Sequence, residues 1–148
     1  MELKLIPIPE NGIMMEAQFE TAACKDMLHV WKEFYPKIGF NFPWIGYFIQ
    51  NDANMVVGTC ALILEANKQR AEISYFTFSE FEGLGIATNA CKMLINIARQ
   101  TNLNIIIFAK TAPEKNASVR ILEKNRFIFH KIVTDHEIGE AWEWVLKN

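Results

Sequence analysis

A glycine-rich turn at residues 82–87 decides the fold, and it reads Glu82-Gly83-Leu84-Gly85-Ile86-Ala87. An apolar, strand-like run precedes it at residues 71–78, and a run with helical spacing follows it at residues 86–100. A strand that feeds a helix through glycines leaves several backbone N–H groups unpaired beside the positive end of the helix dipole. Such a place can hold phosphate. The turn alone also fits plain close packing of a helix on a strand.

The rest of the chain continues this alternation of strands and helices. The predicted strands lie at residues 3–9, 44–50, 55–64, 70–78, 104–109, 126–133 and 141–146. The predicted helices lie at residues 21–35, which Pro36 and Gly39 stop, at residues 86–100, and at residues 116–125, which Asn116 caps. The middle strand–helix–strand unit must be a right-handed parallel crossover. The order predicts a mixed α/β (α+β) fold with a single central sheet.

Bulk composition predicts one domain over residues 1–148. The chain is 51% hydrophobic and 22% charged, which is a globular composition. Its formal net charge is −2 and its basic residues are scattered along the sequence, so neither a nucleic-acid partner nor a membrane partner is expected. No signal peptide or membrane-length apolar run is found. Buried free thiols in a reducing cytoplasm best explain the three separate cysteines, Cys24, Cys60 and Cys91.

Two nucleotide-binding alternatives do not fit the turn. A Walker loop requires Gly-Lys-Ser/Thr, which the chain lacks, and a dinucleotide fingerprint requires an acid at the end of the next strand. That strand ends at Ala109-Lys110-Thr111, without an acid. A second helix start follows it at residues 113–118, which read Pro-Glu-Lys-Asn-Ala-Ser. Together the two signatures predict a phosphate-tailed acyl donor rather than a bare nucleotide.

With both signatures, residues 71–127 resemble the core of the GNAT N-acetyltransferase superfamily. The turn matches that family's Gln/Arg-x-x-Gly-x-Gly/Ala signature, and Thr88-Asn89-Ala90 suits the branch of ribosomal-protein N-terminal acetyltransferases. Residues 116–127 are similar to that branch's Ser-x-Arg-x-Leu-Glu-Lys-x-Gly-Phe. Three departures stand out. Glu82 replaces Gln or Arg, Arg126 replaces a glycine and is tolerable if its backbone is not left-handed, and Leu122 replaces a tyrosine that protonates the departing thiolate.

The resemblance implies transfer of acetyl from acetyl-CoA to a primary amine by direct attack in a ternary complex, with no metal. The acceptor would be a peptide N-terminus or a small amine, and the chain could form a homodimer. The pantetheine arm would lie between the parted parallel strands, beside backbone amides that bond the arm or the thioester oxygen. The pyrophosphate would bind the amides of the turn. The expected cofactor-binding residues are Phe76, Thr77, Phe78, Gly83, Leu84, Gly85, Ile86, Ala87, Thr88 and Asn116.

Catalysis then requires a proton acceptor, because only a neutral amine attacks. Glu72 is the first candidate, since strand parity places it on one face with Ser74 and Phe76; a plain surface glutamate is the alternative. Glu143 is a weaker candidate base. Ser118 is the candidate donor to the leaving sulfur, although helix capping explains it equally well. The histidines suit solvated or structural roles. The competing function is a degenerate domain that binds acyl-CoA without turnover.

Overall fold

The computed structural model describes residues 2–147, which form one seven-stranded sheet with three α-helices. The strands are β1 (Lys4–Pro7), β2 (Gly46–Gln50), β3 (Val56–Leu64), β4 (Arg70–Thr77), β5 (Ile106–Thr111), β6 (Phe127–Asp135) and β7 (Gly139–Leu146). The helices are α1 (Ala22–Ile38), α2 (Ile86–Thr101) and α3 (Ala117–Lys124). The element order agrees with the predicted one, and the predicted mixed fold with a single sheet is confirmed.

The sheet is antiparallel except at its centre. Its strand order is β1-β2-β3-β4-β5-β7-β6, and only β4 and β5 run parallel. Helix α2 provides the crossover between these two strands, as the sequence predicts. The parallel pair at the centre matters because two parallel strands that separate leave a gap between their carboxyl ends, where a ligand can enter.

Helix α1 covers one face of the first three strands. Gly46 lies directly beneath it, since a Cβ there would stand 2.5 Å from the Trp31 ring. The buried Tyr35 hydroxyl donates to the Ile8 carbonyl at 2.7 Å and accepts from the Gly46 amide at 3.2 Å. The predicted stop at Pro36 is wrong, because the helix continues to Ile38. A proline in the last turn removes one helical hydrogen bond without ending the helix, and Gly39, at a φ of +84°, ends it.

Helices α2 and α3 cover the opposite face of the sheet. Cys60 on β3 lies next to Cys91 on α2, and the Tyr75 hydroxyl on β4 reaches the first turn of α3. Strand register places Cys60 and Tyr75 side by side, on the other face from Gly46 and its neighbours. On the α1 side, Ser74 and Phe76 remain exposed, so the part of this face at β4 is open.

The three cysteines are buried and free, which confirms the predicted thiols. Among residues 2–147, no helix is both long enough and apolar enough to cross a bilayer. The condition stated for Arg126, that its backbone not be left-handed, is not met, because its φ is +71°. A side chain in this conformation is strained by roughly 1–2 kcal/mol, which glycine avoids.

Candidate active site

The glycine-rich turn presents a row of free backbone donors. Gly83 and Gly85 have φ values of +79° and +78°, and a Cβ at either position would have no atom within 4 Å. Across the described residues, no acceptor bonds the amide N–H groups of residues 83–88. Gly85 is the N-cap of α2, so these amides lie at the positive end of the helix dipole. The turn therefore fits a pyrophosphate group, held by the backbone rather than by side chains.

The two parallel strands part beside this turn. Pairing between β4 and β5 runs from Arg70–Ile106 to Glu72–Phe108 and then stops. The Phe78 amide donates to the Val57 carbonyl at 2.9 Å, and by ladder alternation the Phe76 amide also points to β3. The amides of Tyr75 and Thr77 therefore point into the gap. This narrows the predicted amide donors of residues 76–78 to Thr77.

A cleft of about 490 Å³, here called the cofactor cleft, joins the turn to the start of α3. It is lined by Tyr75, Phe76, Thr77, Phe81, Glu82, Gly83, Gly85, Ile86, Ala87, Thr88, Ala117, Ser118, Arg120, Ile121 and Lys124. Most of the predicted cofactor-binding residues thus come together in one place. Phe78, Leu84 and Asn116 are not part of this lining. Asn116 caps α3 instead, and its side chain accepts from the Val119 amide at 3.2 Å.

The α3 wall of the cofactor cleft brings Ser118 and Tyr75 together. The Tyr75 hydroxyl donates to the Ser118 carbonyl at 3.0 Å, and burial raises the pKa of Tyr75, so this group stays protonated. Leu122, one turn beyond Ser118, is fully buried in the core. Sequence reasoning missed Tyr75 as a cleft residue. Strand parity provided the signal, because it places Tyr75 on the face opposite Glu72.

Glu72 is the last β4 residue paired with β5 before the strands part. Its side chain is 26% exposed, and its Oε1 lies 4.0 Å from Lys110 Nζ, which in turn lies 3.5 Å from Asp135. Burial raises the pKa of Glu72, and the Lys110 ammonium offsets only part of this rise. A carboxylate with a raised pKa is a better proton acceptor than an ordinary surface glutamate. Its position and environment suit the predicted role.

Glu143 has a different environment from Glu72. It is buried, with Oε1 accepting from Arg70 Nη2 at 2.8 Å and Oε2 lying 2.8 Å from His130 Nδ1. Burial by itself would raise the pKa of Glu143, but the bonds from Arg70 and His130 outweigh it and lower the pKa. The Arg70 guanidinium also stacks 3.9 Å above the Phe108 ring. Glu143 is thus a poor proton acceptor that ties β4, β6 and β7 together.

Comparison with known proteins agrees with this geometry. A search of curated proteins finds no match to the sequence. A spermidine N-acetyltransferase, a chimera of SpeG from Vibrio cholerae and hSSAT, is similar in structure with a TM-score of 0.71 and 17% identity, covering 99% of this chain and 95% of its own. RimL, a ribosomal L7/L12 alpha-N-protein acetyltransferase solved with coenzyme A, is similar with a TM-score of 0.69 and 15% identity. The match covers 97% of this chain and 92% of RimL. At these identities the likeness shows the fold.

The family itself is shown by sequence. The model of the acetyltransferase (GNAT) domain matches residues 8–128, which is most of the chain, and the chain therefore belongs to this family. As a member of this family it is an N-acetyltransferase. The predicted family, fold class and enzyme class are confirmed.

Proposed function

We propose that the protein acetylates a primary amine that reaches Glu72 across the open sheet face, and that residues 83–88 hold the pyrophosphate of acetyl-CoA. The observation that carries this proposal is the position of Glu72, a partly desolvated carboxylate at the point where β4 and β5 part. The amide of Thr77 points into the same gap. The chain thus passes from the proton acceptor Glu72 on β4, through the strand gap at Thr77, to the phosphate-binding turn at residues 83–88.

Acetyl-CoA supplies the acetyl group as a thioester. Glu72 accepts a proton from the acceptor ammonium, directly or through a water molecule, which frees the nitrogen lone pair. The nitrogen then bonds to the carbonyl carbon while the Thr77 amide donates to the carbonyl oxygen, where negative charge develops. The carbon–sulfur bond breaks, the sulfur leaves as thiolate with the bonding electron pair, and the remaining extra proton of the nitrogen passes to solvent water. We expect the Ser118 hydroxyl to donate a hydrogen bond to this sulfur.

A thiolate needs little help to leave, because its ordinary pKa is about 8.5. This explains how the reaction proceeds with a buried leucine at position 122. The acceptor amine is the more demanding partner. At pH 7 roughly 10% of a peptide α-amine is neutral, against well under 0.1% of a lysine-type amine. We propose a peptide N-terminus, whose amine asks least of the base, or a small amine, which depends more strongly on Glu72. RimL and the SpeG chimera, named for a ribosomal protein and for spermidine, represent these two classes.

Glu72→Gln tests the role of the base. The variant keeps the side-chain shape and should bind CoA normally, while kcat/KM at pH 7 falls by roughly 100-fold, the usual size of general-base catalysis. Because burial raises the pKa of Glu72, the acid limb of the wild-type profile should lie above the ordinary value of 4.5. The deficit of the variant should shrink as the pH approaches the pKa of the amine, where solvent supplies neutral amine.

Glu65→Gln is the matched control, because Glu65 lies outside the strand gap and pairs with Arg70 at 3.6 Å. A Glu72→Gln profile that overlays the wild type at every pH would defeat the assignment. Measuring free thiol release with panels of peptide α-amines, polyamines and aminoglycosides identifies the acceptor. Tight CoA binding without thiol release for any amine would instead favour a binding module. Cytoplasmic location and a homodimer remain predictions, which fractionation and sedimentation address.

A further inference from the structure

A second cleft, here called the basic cleft, lies beyond the cofactor cleft along α2 and α3. It measures about 360 Å³ and lies between the middle of α2, the turn after α3 and the end of β7. Its lining consists of Lys92, Ile95, Asn96, Arg99, Lys124, Asn125, Arg126, Leu146 and Lys147. Only Lys124 also lines the cofactor cleft.

The charge of this cleft is one-sided. Five of its nine lining residues are Lys or Arg and none is acidic, although the whole chain has 15 Lys and Arg residues and a net charge of −2. Across residues 2–147, Lys92, Lys124, Arg126 and Lys147 form no salt bridge with a carboxylate. The cations are scattered in sequence, but the fold collects them. Clustered like charges with low-dielectric walls create a strong local potential that attracts anions.

Backbone strain marks the same cleft. Arg126 stands at a φ of +71°, in the place where the family pattern that residues 116–127 resemble has a glycine. The arginine is fixed on both sides, since its amide donates to the Glu123 carbonyl at 3.0 Å and its carbonyl accepts from the Lys147 amide at 3.2 Å. A strained residue that persists where glycine would fit without strain points to a role for its side chain. Here that side chain adds a guanidinium to the cleft.

We propose that the basic cleft binds a small phosphorylated molecule through its phosphoryl oxygens. Guanidinium and ammonium groups together are the usual ligands of phosphate, and the volume suits a small molecule. A nucleic acid would need a longer basic stripe than one such cleft. The phosphoryl group has two sources: the ribose 3′-phosphate of CoA, reached past Lys124, or an independent ligand. The proposal goes beyond the acetyl transfer and does not depend on it.

Titration calorimetry with inorganic pyrophosphate tests the site in intact Gly85→Asp protein, because the added carboxylate keeps pyrophosphate off the turn at residues 83–88. This protein is the reference into which the further changes are introduced. Arg126→Gly and the double variant Lys92→Glu/Lys147→Glu should each weaken pyrophosphate binding at least tenfold. The matched control is Lys32→Glu/Lys37→Glu on α1, which changes the net charge equally and should leave affinity within twofold. Wild-type affinity should fall as NaCl rises. Arg126→Gly should also raise Tm, because it relieves the left-handed strain, so weaker binding by this variant cannot reflect misfolding.

Two further titrations identify the source of the phosphoryl group that the basic cleft binds. If Arg126→Gly weakens CoA but not 3′-dephospho-CoA, the cleft takes the cofactor's own phosphate. If pyrophosphate binds CoA-saturated wild type as tightly as it binds free Gly85→Asp protein, the ligand is independent. Either result supports the proposal. Pyrophosphate affinity that is the same in the Gly85→Asp reference with and without Arg126→Gly or Lys92→Glu/Lys147→Glu, or that falls equally in the α1 control, overturns it.

Discussion

The cofactor cleft and the basic cleft share helix α2 and Lys124, but they present opposite kinds of binding group. The first offers backbone amides of one contiguous turn, residues 83–88, whose directions the backbone fixes. The second offers long, mobile cationic side chains from three separate stretches of chain. Fixed dipoles lose little entropy on binding, whereas each long side chain that becomes ordered costs about 0.5–1.5 kcal/mol. The cofactor cleft is therefore suited to a ligand of one geometry. The basic cleft is suited to anionic ligands of more varied shape.

The largest effect is expected from a substitution that disrupts only the backbone amides of the turn at residues 83–88. Gly85→Asp places a carboxylate over the amides where pyrophosphate binds, and should weaken CoA binding at least 100-fold, or about 2.8 kcal/mol. Gly139→Asp is the matched control, since Gly139 has the same φ of +78° and equally open space around its Cα, but lies outside both clefts. Calorimetry that finds equal losses in the two variants, or no loss in Gly85→Asp, would remove the turn from the site.

An intermediate effect is expected at Asn125, whose hydrogen bonds connect the two clefts. The buried Asn125 side chain donates to the Thr88 carbonyl of α2 at 3.2 Å and to the Ile121 carbonyl at 3.0 Å. Asn125→Ala should lower the free energy of unfolding by about 2 kcal/mol, because buried acceptors lose a partner. Asn102→Ala removes the asparagine at the end of α2, which makes only a local bond to Asn104, and should cost less. Denaturant unfolding that ranks the two in reverse order would contradict a special role for Asn125.

The smallest effect is expected at Leu122. We expect Leu122→Tyr to raise kcat by less than tenfold, because the thiolate already leaves without a proton donor. Burying the added hydroxyl unpaired would also destabilise the fold by about 1–3 kcal/mol, which thermal unfolding reports. Leu122→Phe adds the ring without the hydroxyl and serves as control. A tenfold gain in the tyrosine variant that is absent in the phenylalanine variant would show that leaving-group protonation limits the reaction.

The glycine-rich turn beside the cofactor cleft could be recognised from the sequence because its parts are local. Glycines at Gly83 and Gly85 allow positive φ, the apolar spacing after Ile86 defines a helix, and adjacency in sequence does the rest. The order of strands and helices along the chain followed from the same periodicity. The predicted helix boundary at Pro36 was wrong because a proline in the last turn removes one helical hydrogen bond but does not end the helix, as it tends to do in the interior.

The basic cleft could not be predicted, because its cations are distant in sequence and carry no common spacing. The same holds for Lys110 beside Glu72 and for the two partners of Glu143, which come from separate strands. Without these neighbours, Glu72 and Glu143 look alike in sequence, yet burial raises one pKa and ion pairing lowers the other. Pairings across a sheet depend on register, which local pattern alone does not define.

The bond from Asn125 to Thr88 has a consequence for how the protein would respond to its surroundings. Thr88 belongs to the turn that fits pyrophosphate, and Asn125 precedes the arginine of the basic cleft, so one hydrogen bond joins the two clefts. If the ligand of the basic cleft is independent of CoA, thermodynamic linkage requires reciprocity: whatever factor that ligand applies to acyl-donor affinity, the acyl donor applies to the affinity for that ligand. Each ligand would thereby report the concentration of the other, and acetylation would follow the supply of both.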